Sequence, residues 1–250
     1  MFGVVFISQL VGMALAFGLA LLRGETQPSV ADLGWSVAAG IAGGIGIASL
    51  YRALSVGRMA VVAPVTAVLA AIIPVVVGFT LVGLPPPLVL VGMGIAIVAV
   101  LLVSRVEDLE AGRSQGLGLA VLAGVGFGLF GACIGQLSDG HVFGPLSLVR
   151  LTEAVMIGGL IVVTRSAWKP PRDLILAILA VGVLDMAGNG AYILSAQAGS
   201  LAVASVLSSL YPVTTVILAT VILRERVTRV HALGIVMAVT AVTLIAIGSA

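Results

Sequence analysis

Asp185, Asn189 and Tyr192 are spaced four and then three residues apart in an apolar run, so a helix would carry carboxyl, amide and phenol along one face. An ionisable residue costs ~2.5–3.5 kcal/mol to insert at the centre of a membrane helix, so Asp185 calls for a reason. An unpaired carboxylate deep in lipid would be driven neutral, and a carboxyl that changes its protonation is what proton coupling requires. One reading makes the row a cavity wall. The other makes it a seam that hydrogen-bonds neighbouring helices at ~1–2 kcal/mol per contact.

Arg150 and Glu153 stand three apart and share a helix face. They read either as a mutually neutralising pair near a membrane interface, or as an attractor for a substrate carboxylate beside a group that handles protons or amines. Pro64, Pro74 and Pro212 are expected to interrupt their helices, each freeing a carbonyl. They serve either as packing curvature or as hinges at a binding site. Tyr211, next to Pro212, reads as a gate or stacking surface, or as core packing. Gln9 and Gln136 are weaker cavity-lining candidates. Gly124, Gly128, Gly131 and Gly135, with Gly40 and Gly44, have small-residue spacing that favours close helix packing.

Composition sets the solvent in which these residues work. Charged residues are 9% and hydrophobic ones 60%, with mean hydropathy +1.28. A soluble domain needs about 25% charged residues, so this chain must face lipid. A net charge of +2 gives no ground for nucleic-acid binding. Cys133 is the single cysteine, which excludes a disulfide or a cysteine metal cluster, and His141 and His231 alone make no zinc site. Gly124 and Gly126 follow no strand and precede no lysine, so they form no nucleotide loop. No cofactor or metal is expected.

The elements that must position the polar groups are apolar runs of about 20 residues, the length that crosses a bilayer. Nine are expected: 2–22, 31–54, 58–82, 86–104, 115–137, 143–164, 172–195, 199–223 and 229–248. The first lacks a basic leader and is too long for a typical signal peptide, so it reads as a retained helix. Pro85, Pro86 and Pro87 open the fourth, and Pro170 and Pro171 precede the seventh. Residues 105–114 form the only sizeable charged linker, dividing 1–104 from 115–250.

The two halves repeat. At an offset of 142, Ala38, Gly40, Gly46, Gly57 and Ala60 meet Ala180, Gly182, Gly188, Gly199 and Ala202; Gly92, Ala96 and Ala99 meet Gly234, Ala238 and Ala241. The offset pairs the second, third and fourth helices with the seventh, eighth and ninth. The fifth would pair with a segment before Met1, so the chain is expected to lack the first helix of a five-plus-five design. Basic residues cluster in alternate loops: Arg52, Arg58, Arg105, Arg113, Arg165, Lys169, Arg172, Arg224, Arg226 and Arg229, against Arg23 alone. That puts the first set in the cytoplasm, with Met1 inside and Ala250 outside. Five helices being odd, the halves would run in opposite directions, the arrangement behind alternating access.

The run Ala204-Ser-Val-Leu-Ser-Ser-Leu-Tyr-Pro-Val-Thr214, with Leu223-Arg-Glu-Arg-Val227 and Gly234, resembles the EamA family of the drug/metabolite transporter superfamily. Ala63-Pro-Val-Thr66 through Pro74 and Val75 is similar to the matching segment of the first half, although Gly83 to Pro87 replaces the charged turn. The resemblance implies an all-α polytopic bundle that carries amino acids, sugars, nucleosides or drugs across the inner membrane, commonly outward. Members typically have ten helices and both ends cytoplasmic; this chain reads one helix short, with its C-terminus outside.

The expectation is therefore a secondary transporter of a small organic metabolite, amino acid-like or a drug, in the cell (inner) membrane. Its partners are a small-molecule substrate and the lipid bilayer. An intramembrane enzyme would need a nucleophile with a base, or paired carboxylates for a metal, and the chain presents neither. The alternative from another class is a lipid-linked flippase or a non-transporting membrane scaffold. Whether Asp185, Arg150 and Glu153 converge on one cavity or scatter toward helix contacts discriminates the two.

Overall fold

In a computed structural model, the residues described are 2–56, 59–103, 116–166, 168–170, 174–199, 201–208, 210 and 229–248. Among these residues the chain forms nine α-helices. They are α1 (Phe2–Arg23), α2 (Val30–Val56), α3 (Met59–Val82), α4 (Pro87–Val103), α5 (Leu117–Ile134), α6 (Phe143–Thr164), α7 (Ile175–Ala198), α8 (Leu201–Ser208) and α9 (Arg229–Gly248). By length and composition, α1, α2, α5, α6 and α7 can each cross a bilayer, and α3, α4 and α9 carry shorter apolar cores. Large aliphatic side chains point outward, with Leu22, Val163 and Leu176 about four-fifths exposed, as a lipid-facing surface requires.

Two packed groups share the bundle. One core joins α3, α4, α8 and α9 around Val89, Ala96, Ala99, Val206 and Ala241. The other joins α1, α2, α5, α6 and α7 around Ala16, Ala39, Ile134, Leu146, Val149 and Ile193. The pairing is reciprocal under the 142-residue offset: α1 lies on α6, α3 on α8, α4 on α9, while α2 touches α6 as α7 touches α1. Helix α5 covers α2 and α3, and no described helix stands in the equivalent place against α7 and α8.

Glycines set the closest approaches. A methyl group on Gly126 would lie 2.8 Å from the Ala42 carbonyl oxygen and from the Gly46 backbone, so α5 and α2 cross at their backbones. The stripe continues along α5, where Gly124 and Gly128 meet Leu69 and Ile73 of α3. Gly40 and Gly44 of α2 seat Thr152 and Met156 of α6. Packing accounts for this spacing.

Two expectations change. Helix α3 runs unbroken through Pro64 and Pro74, because its neighbours hold the helix together on both sides of the missing N–H groups. Helix α7, described from Ile175, extends to Ala198, past the expected end at 195, since apolar periodicity does not locate a helix end within a turn. Of the expected eighth helix only 201–208 is described; Tyr211 and Pro212 lie outside the described residues, as does the side chain of Pro64.

One end of the bundle is fastened by polar side chains. Glu25, in the α1–α2 connection, accepts the backbone N–H groups of Phe143 at 3.0 Å and Gly144 at 2.8 Å. Its carboxylate thus caps the N-terminus of α6, where the helix dipole favours negative charge. Ser29 and Asp32 form a reciprocal capping box at the start of α2, and the second Asp32 oxygen accepts the Ser138 N–H at 2.9 Å. Gln197, at the end of α7, donates to the carbonyls of Ser138 and His141.

Candidate functional site

Arg150, two turns into α6, is buried among its neighbours at 2% exposure. Its Nη1 lies 2.7 Å from Glu153 Oε2, one turn further along α6. The same nitrogen donates to Gln9 Oε1 of α1 at 2.9 Å and lies 2.9 Å from Asp185 Oδ2 of α7. Three helices therefore send an acceptor to one guanidinium nitrogen. Packing of α1 and α6 against α7 brings Arg150 to Asp185.

The other Asp185 oxygen accepts from Asn189 Nδ2 at 3.0 Å, and the amide also donates to the Asp185 carbonyl. Tyr192 donates to the Gly131 carbonyl of α5 at 3.2 Å, and its hydroxyl lies 2.7 Å from Ser205 Oγ of α8. The row on α7 thus reaches α6 at one end and α5 and α8 at the other. It lines space as it does so.

Two adjoining cavities meet along this row. The first, about 370 Å³, is walled by Ala67, Ala70, Ala71 and Pro74 of α3, Phe127, Phe130 and Ile134 of α5, and Tyr192 and Ser205. The second, about 340 Å³, is walled by Ser8 and Gln9 of α1, Leu50 and Tyr51 of α2, Arg150 and Glu153. Phe127, Phe130, Asp185 and Asn189 line both. Each lobe is the size of a small-molecule site, mostly apolar with a few convergent polar groups. The second includes Val5 and Tyr51, beside the end where Gly3 meets Trp168; the first includes Ile134 and Tyr192, on the side of the end fastened by Glu25, Asp32 and Gln197.

Residue types fit these positions. Glu153 is 1% exposed, and a methyl group on Gly43 of α2 would run into its carboxylate. Gly43 is the residue that the 142 offset pairs with Asp185. Of these two positions 142 apart, Asp185 carries a carboxylate and Gly43 leaves room for one. Pro74 has no N–H for the carbonyl of Ala70 one turn back, and both residues line the first lobe.

Gln9 joins the cluster directly. Gln136 does not: its amide turns back to the Ala132 carbonyl at 3.4 Å. Tyr51, Phe127, Phe130 and Ser205 were missed, since an aromatic or a serine in an apolar helix gives no periodic signal of its own. Among the described residues no group of three His, Cys, Asp or Glu side chains is placed to hold a metal.

An all-α polytopic bundle with a two-lobed, mostly apolar cavity around a polar centre defines the class: a membrane protein built around a small-molecule site. The EamA-like transporter family matches residues 114–247. The chain belongs to that family, within the drug/metabolite transporter superfamily, and is a membrane transporter of that type. A solved crystal structure superposes with TM-score 0.82 at 16% identity, covering 99% of this chain and 88% of its own, a likeness of fold. No curated protein matches the chain in sequence.

Proposed function

We propose that the chain is a secondary carrier that moves a small organic metabolite, amino acid-like in its charges, outward across the cytoplasmic membrane by alternating access. The two lobes are the halves of one transport path, and the Arg150–Glu153–Asp185 cluster is its selective centre. The observation that carries the reading is the convergence of Gln9, Glu153 and Asp185 on Arg150 beside the space shared by both lobes.

Charges inside an apolar bundle are costly and mark solute or proton pathways. Here all three charges, Arg150, Glu153 and Asp185, come from 115–250, and 1–104 adds the neutral Gln9, so both halves reach the centre, in keeping with a site between inverted halves. Asp185 and Asn189 act on the solute directly, Glu153 holds Arg150 in place, and Tyr192 closes the far lobe through Ser205. Pro74 lets the α3 wall flex. The excess of basic residues in the loops at its end supports a cytoplasmic position for the second lobe, with the solute entering past Tyr51 and leaving past Tyr192.

The test is counterflow in proteoliposomes with a panel of labelled metabolites, at two pH values, for the wild type and Asp185→Asn. Saturable exchange of a charged metabolite is expected, with Asp185→Asn altering both rate and pH response. Normal exchange with an unchanged pH response in Asp185→Asn would remove Asp185 from the coupling step.

A further inference from the structure

The guanidinium of Arg150 is unevenly used. Its Nη1 carries two protons but faces three acceptors, on Gln9, Glu153 and Asp185. Its Nη2 and Nε are buried and have no partner among the described residues. Three N–H donors thus stand empty while two are contested. A buried arginine ordinarily spends its planar fork on a carboxylate through two parallel bonds. Unfilled buried donors are costly, so a rearrangement that fills them is favoured.

The two carboxylates on Arg150 are not equivalent. The Glu153 side chain is 2% exposed and lies against Gly43, whereas the Asp185 side chain is 45% exposed and borders both lobes. Asp185 is the one free to leave. With both carboxylates ionised, the cluster of one cation and two anions carries a formal excess of one negative charge. A second cation is therefore welcome beside it, and an arriving carboxylate is welcome only where Asp185 withdraws.

We propose that Asp185 is a displaceable stand-in for a ligand carboxylate. The ligand is a zwitterion bearing a carboxylate and an ammonium on neighbouring atoms, with an apolar side group. Its carboxylate replaces Asp185 on the fork of Arg150, the released Asp185 takes the ammonium, and the side group enters the lobe walled by Ala67, Ala71, Pro74 and Phe130. Each charge meets its opposite, and the second oxygen of the arriving carboxylate gives the empty Nη2 an acceptor. This deepens the carrier reading and rests on it. Asp185 becomes the group that selects zwitterions over simple acids, because it blocks any anion that brings no cation to draw it away.

The test is equilibrium binding to the purified full chain in lipid nanodiscs with three probes sharing one side group: L-leucine, 3-methylbutylamine, which lacks the carboxylate, and 4-methylpentanoate, which lacks the ammonium. The wild type is expected to bind leucine more tightly than either fragment. In Asp185→Asn the acid gains about tenfold or more, the factor expected when a site occupied most of the time by its own side chain is vacated. The amine loses affinity in the same variant, and Asp185→Ser must move both probes in the same directions. The inference is overturned if the acid binds Asp185→Asn no better than the wild type, or if none of the three binds at millimolar concentration. Failure here with intact counterflow of other metabolites leaves the carrier standing. Leucine binding without any counterflow overturns the carrier instead.

Discussion

Asp185 Oδ2 lies 2.9 Å from Arg150 Nη1, on the nitrogen that Glu153 already holds at 2.7 Å. The contact joins α7 to α6 across the point where the two lobes meet. It couples the most exposed polar side chain of the cluster to one of the most buried, so movement of α7 is felt by the whole polar centre.

Arg150 is the common partner, and its loss has the largest effect. Arg150→Gln leaves Glu153 buried without its counter-ion, and breaking one side of a buried pair costs about 3–5 kcal/mol. Thermal unfolding in detergent should fall markedly and counterflow should vanish. Arg150→Lys keeps the charge but loses the fork, and should melt closer to the wild type while still losing most transport.

Gly43 leaves the space in which Glu153 sits. Gly43→Ala places a methyl group on that carboxylate and the Phe130 ring, forcing Glu153 off Arg150. Overpacking of this kind costs roughly 1–3 kcal/mol. The control is Gly159→Ala on α6, where nothing lies within 4 Å. Unfolding midpoints and counterflow should drop for Gly43→Ala and stay level for Gly159→Ala.

Glu25, Asp32 and Gln197 fasten the end of the bundle beyond Tyr192. The bonds to the Glu25 carboxylate contribute about 1.5–3 kcal/mol and the neutral bonds of Gln197 about 0.5–1.5 kcal/mol each, so Glu25→Gln or Gln197→Ala should populate a conformation open at that end. Cys133, half-buried near the end of α5, is a built-in reporter. Its reaction with a membrane-impermeant maleimide should speed up by about tenfold for each 1.4 kcal/mol of latch removed.

The helices were legible because twenty-residue apolar runs have one use, and α6 begins and ends where expected. The α7 row was legible for the same reason: spacings of four and three place Asp185, Asn189 and Tyr192 on one face. What was not legible depends on which helices touch. Nothing local to Asp185 announces Arg150, 35 positions earlier, because the pair exists only once α1, α6 and α7 pack together. Ser29 and Asp32 did carry a readable signal, since serine followed three residues later by an acid marks a helix start. Glu25 carried none: it caps a helix 118 residues away.

The account turns on one solute position reached alternately from the two faces of the membrane, and Asn189 borders both lobes at that position. Asn189→Cys in a Cys133→Ser background, reconstituted in one orientation, should react with a membrane-impermeant maleimide added to either side, and a transported solute should slow both reactions. Labelling from one side alone, under every solute and gradient tried, would contradict alternating access through this cavity.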